Sequence, residues 1–120
     1  MLNHFKTAYK IGIDSEEIAV EFLKSKGFGI LHQRYKTKFG EVDIIGKIGE
    51  VLVFIEVKAR KKIDEYETLV SQKQWKRITE ASQVFLQENL EFSSHDFRFD
   101  QIVIEHGLIT AHIENIFFDF

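Results

Sequence analysis

The segment Val51-Leu52-Val53-Phe54-Ile55-Glu56-Val57-Lys58-Ala59 constrains this chain more than any other. Its five leading apolar residues are mostly β-branched or aromatic, and they predict a strand buried on both faces. Such a strand must sit inside a sheet that is covered on both sides, so other elements have to supply the cover. Glu56 and Lys58 follow the apolar run. They are two residues apart and therefore share a face. An unpaired buried charge is costly. A carboxylate and an ammonium at the end of a buried strand are therefore paired with each other or placed there for chemistry.

The flanking sequence provides the cover. From about Ile11 to Lys26 the apolar residues Ala19, Phe22 and Leu23 recur at helical spacing, and Gly27 is a natural stop. Phe28 to Tyr35 reads as a strand. Glu41 to Ile45 and Val51 to Ala59 read as a hairpin around a Gly46–Glu50 loop. Ser71 to about Asn89 is predicted helical, with Ser71 as its cap and Ile78, Ala81 and Phe85 on one face. Phe97 to Glu105 and Leu108 to Phe117 form a second hairpin around His106-Gly107. The resulting order is α-β-β-β-α-β-β, an α/β sandwich with a central mixed sheet flanked by helices. With no repeat, linker or low-complexity stretch, the 120 residues read as a single domain.

Composition narrows the chemistry. There is no cysteine, which excludes disulfides, thiolate metal sites and cysteine nucleophiles. No signal-peptide core and no apolar run of membrane-spanning length is evident, so the chain reads as cytoplasmic. A net charge of −3 argues against coating nucleic acid by bulk charge. The cations do cluster: Arg34, Lys36 and Lys38; Lys58, Arg60, Lys61 and Lys62; Lys73, Lys76 and Arg77. Three separately solvated faces is the simpler reading, and one local phosphate-binding surface is the alternative. The five histidines show no metal-ligand spacing and are expected to be structural or surface residues. Trp75 is expected in the core. The apolar terminus Ile116-Phe117-Phe118-Asp119-Phe120 would close a sheet edge or dock a second subunit.

The strand before the hairpin adds a carboxylate. Glu41, Asp43 and Ile45 alternate onto one face, and a register that sets Asp43 opposite Phe54 or Glu56 brings Asp43 and Glu56 within roughly 5–8 Å. Two carboxylates that close repel, and one takes up a proton unless a cation intervenes. Oxygen ligands suit Mg2+ or Mn2+. On spacing alone, a metal-dependent nuclease centre and a structural Glu–Lys pair with an exposed Asp fit equally well.

Gly40-Glu41-Val42-Asp43-Ile44-Ile45 followed by Phe54-Ile55-Glu56-Val57-Lys58-Ala59-Arg60 resembles the PD-(D/E)XK nuclease signature, with Val42 in place of its proline. More closely, the chain resembles the YraN-like family of small bacterial proteins, relatives of archaeal Holliday-junction resolvases. Gly12-x-x-x-Glu16-x-x-Ala19, Lys26-Gly27-Phe28, Arg34-Tyr35-Lys36, Lys73 to Ala81, Arg98-Phe99-Asp100 and His112-Ile113-Glu114-Asn115 extend the likeness over nearly the whole length. The resemblance implies a restriction-endonuclease-like fold in which Asp43 and Glu56 bind Mg2+ or Mn2+ and Lys58 assists catalysis. It adds Glu16 from the first helix, whereas Glu17 reads as the capping-box partner of Asp14. Arg34, Lys36, Arg60, Lys73 and Gln74 are the expected nucleic-acid contacts. The implied partner is DNA, branched in the resolvase relatives, and the implied assembly a homodimer. The competing expectation is a binding module that keeps the fold and uses the site weakly or not at all.

Overall fold

The computed structural model describes residues 8–60 and 71–116, with side chains from residue 15 onward in the first helix. Helix α1 (Ala8–Ser25) leads into β1 (Gly29–Lys36), β2 (Glu41–Ile48) and β3 (Val51–Arg60). Helix α2 (Gln72–Glu88), a short 3-10 turn at Leu90–Phe92, β4 (Asp96–Glu105) and β5 (Leu108–Ile113) complete the described chain. This is the expected α-β-β-β-α-β-β order, with the 3-10 turn added. Among the described residues, no helix is long and apolar enough to cross a membrane.

The five strands form one sheet in the order β1-β2-β3-β4-β5. β1–β2, β2–β3 and β4–β5 pair antiparallel, while β3 and β4 run parallel. Parallel neighbours require a crossover, and the chain between β3 and β4 carries α2. β3 is the central strand, and Leu52 to Glu56 are all buried, as the apolar run requires. One face packs Val53, Ile55, Ile102 and Ile104 under Ala19, Val20 and Leu23 of α1. The other packs Leu52, Phe54 and Phe99 under Trp75, Ile78, Ala81 and Phe85 of α2. The arrangement is that of a restriction-endonuclease-like sandwich. Aromatic rings dominate the second layer: Phe54 and Phe99 lie 5.6 Å apart, and Trp75 meets Phe99 edge-on at 6.4 Å.

Local rules explain the helix ends. α1 stops where Gly27 turns left-handed (φ 95°). The Gly27 N–H then donates to the Lys24 carbonyl and Phe28 N–H to the Leu23 carbonyl, both at 3.0 Å. At its start α1 runs back to Ala8, so the chain at Asp14 is already helical and Asp14 does not stand at an N-cap. The Asp14–Glu17 capping box is therefore corrected, and Glu17 is exposed on a continuous helix. Ser71 does cap α2, accepting the Gln74 N–H at 3.1 Å.

The hairpins differ from expectation in length. Gly46 belongs to the ladder, opposite Val53 on one side and Ile30 on the other, so the first turn shrinks to Gly49-Glu50. Gly46 is not a turn residue: a Cβ there would lie 3.2 Å from the Gly29 carbonyl oxygen and 3.5 Å from the Phe28 ring. The second hairpin turns at His106 and Gly107, both with positive φ, as a primed two-residue turn demands. β5 ends at Ile113, and the Ile116 N–H reaches back to the Phe99 carbonyl at 2.7 Å. The apolar terminus from residue 117 onward lies outside the described residues.

The β1–β2 loop is pinned to α2. A Cβ on Gly40 would sit 2.5 Å from the Arg77 carbonyl oxygen and 2.9 Å from its carbon, so the two backbones meet where only glycine fits. Gly40→Ala is expected to destabilise the fold by about 1–3 kcal/mol, the usual cost of overpacking against backbone. Urea denaturation checks this, and an unchanged midpoint would show that α2 is free to shift.

Candidate active site

The β2–β3 ladder pairs Ile44 with Ile55 and goes no further. Asp43 and Glu56 are the next residues on the two strands, at the mouth of the fork. Past it, the Val57 N–H has no ladder carbonyl from β2. The Asp43 carboxylate takes that donor instead, with Oδ2 at 2.8 Å from the Val57 nitrogen. Strict alternation is lost on β2: Val42 and Ile45, three apart, both pack on the α2 side, while Ile44 packs on the α1 side. Asp43 is thus the residue at which the two faces of the sheet communicate.

Glu56 is buried on the α2 side, and its Oε1 accepts from the Gln74 side-chain amide at 3.1 Å. The Glu56 and Asp43 carboxyls also share a hydrogen bond. Burial raises both pKa values. For Glu56 the negative charge of Asp43 adds to burial and pushes it up to about 9. Burial and mutual repulsion thus favour a shared proton on the pair over two bare carboxylates.

Glu16 approaches from α1. Its side chain is largely buried, and its Oε2 accepts from Arg34 Nε at 3.3 Å. Burial raises its pKa, and the Asp43 charge raises it further. Arg34 falls between Gln33, which pairs with Ile44, and Tyr35, which pairs with Val42, and so lies across from Asp43. Its backbone is left-handed (φ 54°), a conformation that costs a non-glycine residue of order 1–3 kcal/mol and concentrates at functional sites. Lys58 is on the same face as Glu56, and its charge lowers the Glu56 pKa.

A cleft of about 420 Å³ opens over the pair, between the 37–41 segment and the start of α2. Asp43, Glu56 and Gln74 line it, and so do Lys36, Lys73 and Arg77. The first and third cation clusters thus meet in one cleft, which corrects the expectation of three separate solvated faces. They meet because the close approach of Gly40 to Arg77 holds the β1–β2 loop against α2. Two expected contacts do not line the cleft. Arg34 is engaged with Glu16. Arg60 does not line the cleft: β3 carries it to its far end, where it pairs with Glu105 of β4 at 3.5 Å. Lys61 and Lys62 lie outside the described residues. Glu41 and Arg77 line the cleft without having been expected as site residues. The Glu41 charge raises the pKa of Glu16, Asp43 and Glu56. Its i, i+2 spacing from Asp43 was the available signal.

A second carboxylate group lies across the sheet. Asp100, His112 and Glu114 could each offer one ligand atom, all within 4.8 Å of one another. Their charges are already met. Asp100 is fully buried and accepts from Arg98 at 3.0 and 3.2 Å, from His112 Nε2 at 2.8 Å and from the Asn115 N–H at 2.9 Å. Lys26 Nζ lies 2.9 Å from His112 Nδ1 and 3.8 Å from Glu114. Burial alone would raise the Asp100 pKa, but these hydrogen bonds reverse that and hold it below the ordinary range. Arg98 and Lys26 already face the two carboxylates, and both ring nitrogens of His112 are engaged, by Asp100 and Lys26. The cleft is lined by three acids, Glu41, Asp43 and Glu56, and three cations, Lys36, Lys73 and Arg77.

The model of an uncharacterised protein family, UPF0102, matches residues 15–104. A UPF0102 protein of Nitrobacter winogradskyi is 36% identical over 110 residues, spanning 92% of this chain and 93% of its own length. A UPF0102 protein of Rhodopseudomonas palustris is 34% identical, over 92% and 82% of the two chains. One from Mesorhizobium japonicum is 33% identical, over 92% and 89%.

Proposed function

This chain belongs to the UPF0102 family, and from that premise we propose that its cleft hydrolyses DNA phosphodiester bonds with a divalent cation, Mg2+ or Mn2+. The observation that carries the reading is the Asp43–Glu56 pair. Two buried carboxyls share a hydrogen bond, and burial and mutual repulsion raise both pKa values. Evolution rarely buries such a conflict for stability alone, because it costs stability. The donor set fits a hard cation, being all oxygen, with Glu16 as a third carboxylate nearby. A cation held by Asp43 and Glu56 would supply the positive charge that activates water and neutralises the phosphate.

The remaining steps fall to the chain's own groups. Lys36, Lys73 and Arg77 attract the phosphate backbone into the cleft. The start of α2 adds main-chain N–H groups and its positive dipole end. Gln74 holds the Glu56 carboxyl in place. Lys58 offers a positive charge beside Glu56 for the charge that grows on the phosphate as the bond to the leaving oxygen breaks. Branched or flapped DNA is the substrate favoured by the resolvase likeness, cut by a symmetric pair of chains. The second reading, a binding module without cleavage, draws on the net charge of −3. Incubation of the purified chain with branched DNA decides between them. Cleavage is expected with Mg2+ or Mn2+ and none in EDTA. If Asp43→Ala cuts as well as the wild type, the assignment is wrong.

A further inference from the structure

We propose that Phe39 is a stacking platform for an unpaired nucleobase next to the phosphate held in the cleft, so that the chain favours single-stranded DNA over duplex. This rests on the reading of the cleft as a nucleic-acid site and names the part of the strand it recognises.

Phe39 is 47% exposed. A single exposed apolar side chain is ordinary, and Leu31, Leu90, Phe97, Leu108 and Ile113 are others. Phe39 differs in position: of these, it alone is the chain neighbour of a cleft-lining residue, Gly40. Its backbone is also held rigidly. The Thr37 hydroxyl accepts the Phe39 N–H at 3.0 Å and the Gly40 N–H at 3.1 Å. The Thr37 N–H donates to the Gly40 carbonyl at 2.8 Å, and Arg77 Nε to the Phe39 carbonyl at 3.3 Å. The Gly40 backbone lies against that of Arg77, which holds the loop to α2. An apolar ring is thus presented to solvent on a fixed support, at the rim of a cleft.

The surroundings indicate what lands on it. Lys38 Nζ lies over the ring, 5.2 Å from its centroid, where a stacking base would displace it or take the opposite face, and Lys36, Lys73 and Arg77 line the cleft next to the loop. One cation over the ring and a cationic cleft next to it favour an aromatic, anionic partner over an apolar protein surface. A nucleotide strand is such a partner, because each unit offers an aromatic face and an anion a few ångströms apart. Bases in a duplex already stack on each other, so the ring meets a base only where the strand is unpaired.

The test reads binding in EDTA, with the intact chain and a labelled single-stranded oligodeoxynucleotide, against a duplex of the same sequence. Phe39→Ala is expected to weaken single-strand binding by roughly five- to a hundredfold, the usual loss for one stacked base, and duplex binding by less than about twofold. Phe39→Trp should restore it. A set of single strands with one abasic position each should show a position that weakens the wild type and leaves Phe39→Ala unchanged. Both variants alter an exposed ring, and their thermal melts should match the wild type. Cleavage with Mg2+ is scored separately on branched and flapped DNA. If DNA is cut but Phe39→Ala binds single strands as tightly as the wild type, stacking is overturned and the nuclease reading stands. If nothing is cut yet the abasic signature appears, stacking stands and the nuclease reading falls. A wild type that binds no DNA overturns stacking, as does a Phe39→Ala variant that changes only self-association.

Discussion

Glu56→Gln is expected to lose Mg2+-dependent cleavage by roughly a hundredfold or more, and yet to make the metal-free protein more stable than the wild type near pH 8. Both effects come from one fact. The Glu56 carboxyl is buried against Asp43, which lifts its pKa from the ordinary 4.5 to about 9. Between those values the folded protein holds a proton that the unfolded chain has released. Stability of the metal-free wild type must then fall as pH rises through that window, by up to about 1.4 kcal/mol per pH unit for one proton. Glutamine has the same shape, never ionises, and can still donate to Asp43. The variant and the wild type should therefore be alike below the window and diverge progressively through it, in the variant's favour. Saturating Mg2+ should restore the wild type and flatten its pH profile, and should do little for a variant that has lost a ligand. Urea unfolding near pH 5 and near pH 8, with and without Mg2+, checks the sign. Parallel profiles for the two proteins would show that Glu56 does not hold the proton.

Lys58→Met should cost a similar factor in cleavage, roughly a hundredfold, while leaving the chain folded and able to bind Mg2+ and DNA. If Lys58 serves mainly to neutralise Glu56, its loss strands a buried carboxylate, at roughly 3–5 kcal/mol when the pair is deeply buried. The site argues against that cost here. Burial and the Asp43 charge raise the Glu56 pKa and so favour its neutral form, and its Oε1 accepts from Gln74, so Lys58 is not its only support. Lys58 is itself only partly buried. Methionine keeps the packing of the stem, so a loss of stability could not be blamed on a cavity. The informative readouts are the melting temperature with Mg2+ and the single-turnover cleavage rate. A badly destabilised variant whose cleavage is undiminished would make Lys58 a structural partner.

Much of this architecture can be read residue by residue, because the interactions concerned are local. The apolar run before Glu56 had to be a central strand. The spacing of Ala19 and Leu23 had to make a helix face, Gly27 had to end that helix, and Ser71 had to begin the next one. Each of these depends on neighbours within about one helical turn or two strand positions. The same arithmetic put Glu56 and Lys58 on one face and brought Asp43 within reach of Glu56. The errors were local too. Gly46 looked like a turn residue, since nothing in its neighbours reveals that Phe28 packs where a side chain would be. Asp14 looked like a cap, because a helix that continues upstream hides its own start.

What tertiary structure alone decided is which distant groups meet. Asp43 bridges the two faces because the β2–β3 ladder stops at Ile44 and Ile55, and no pattern of residue types states where a ladder stops. Lys36 and Arg77 share a cleft because Gly40 lets two backbones touch across 37 positions of sequence. Arg60, only two residues from Lys58, leaves the cleft because parallel pairing sets it beside Glu105. Alternation and helical period are properties of a segment and survive without the rest of the molecule. Charge balance, burial and the raised pKa of Glu56 depend on the sum over everything packed around it, and that sum exists only once the chain is folded.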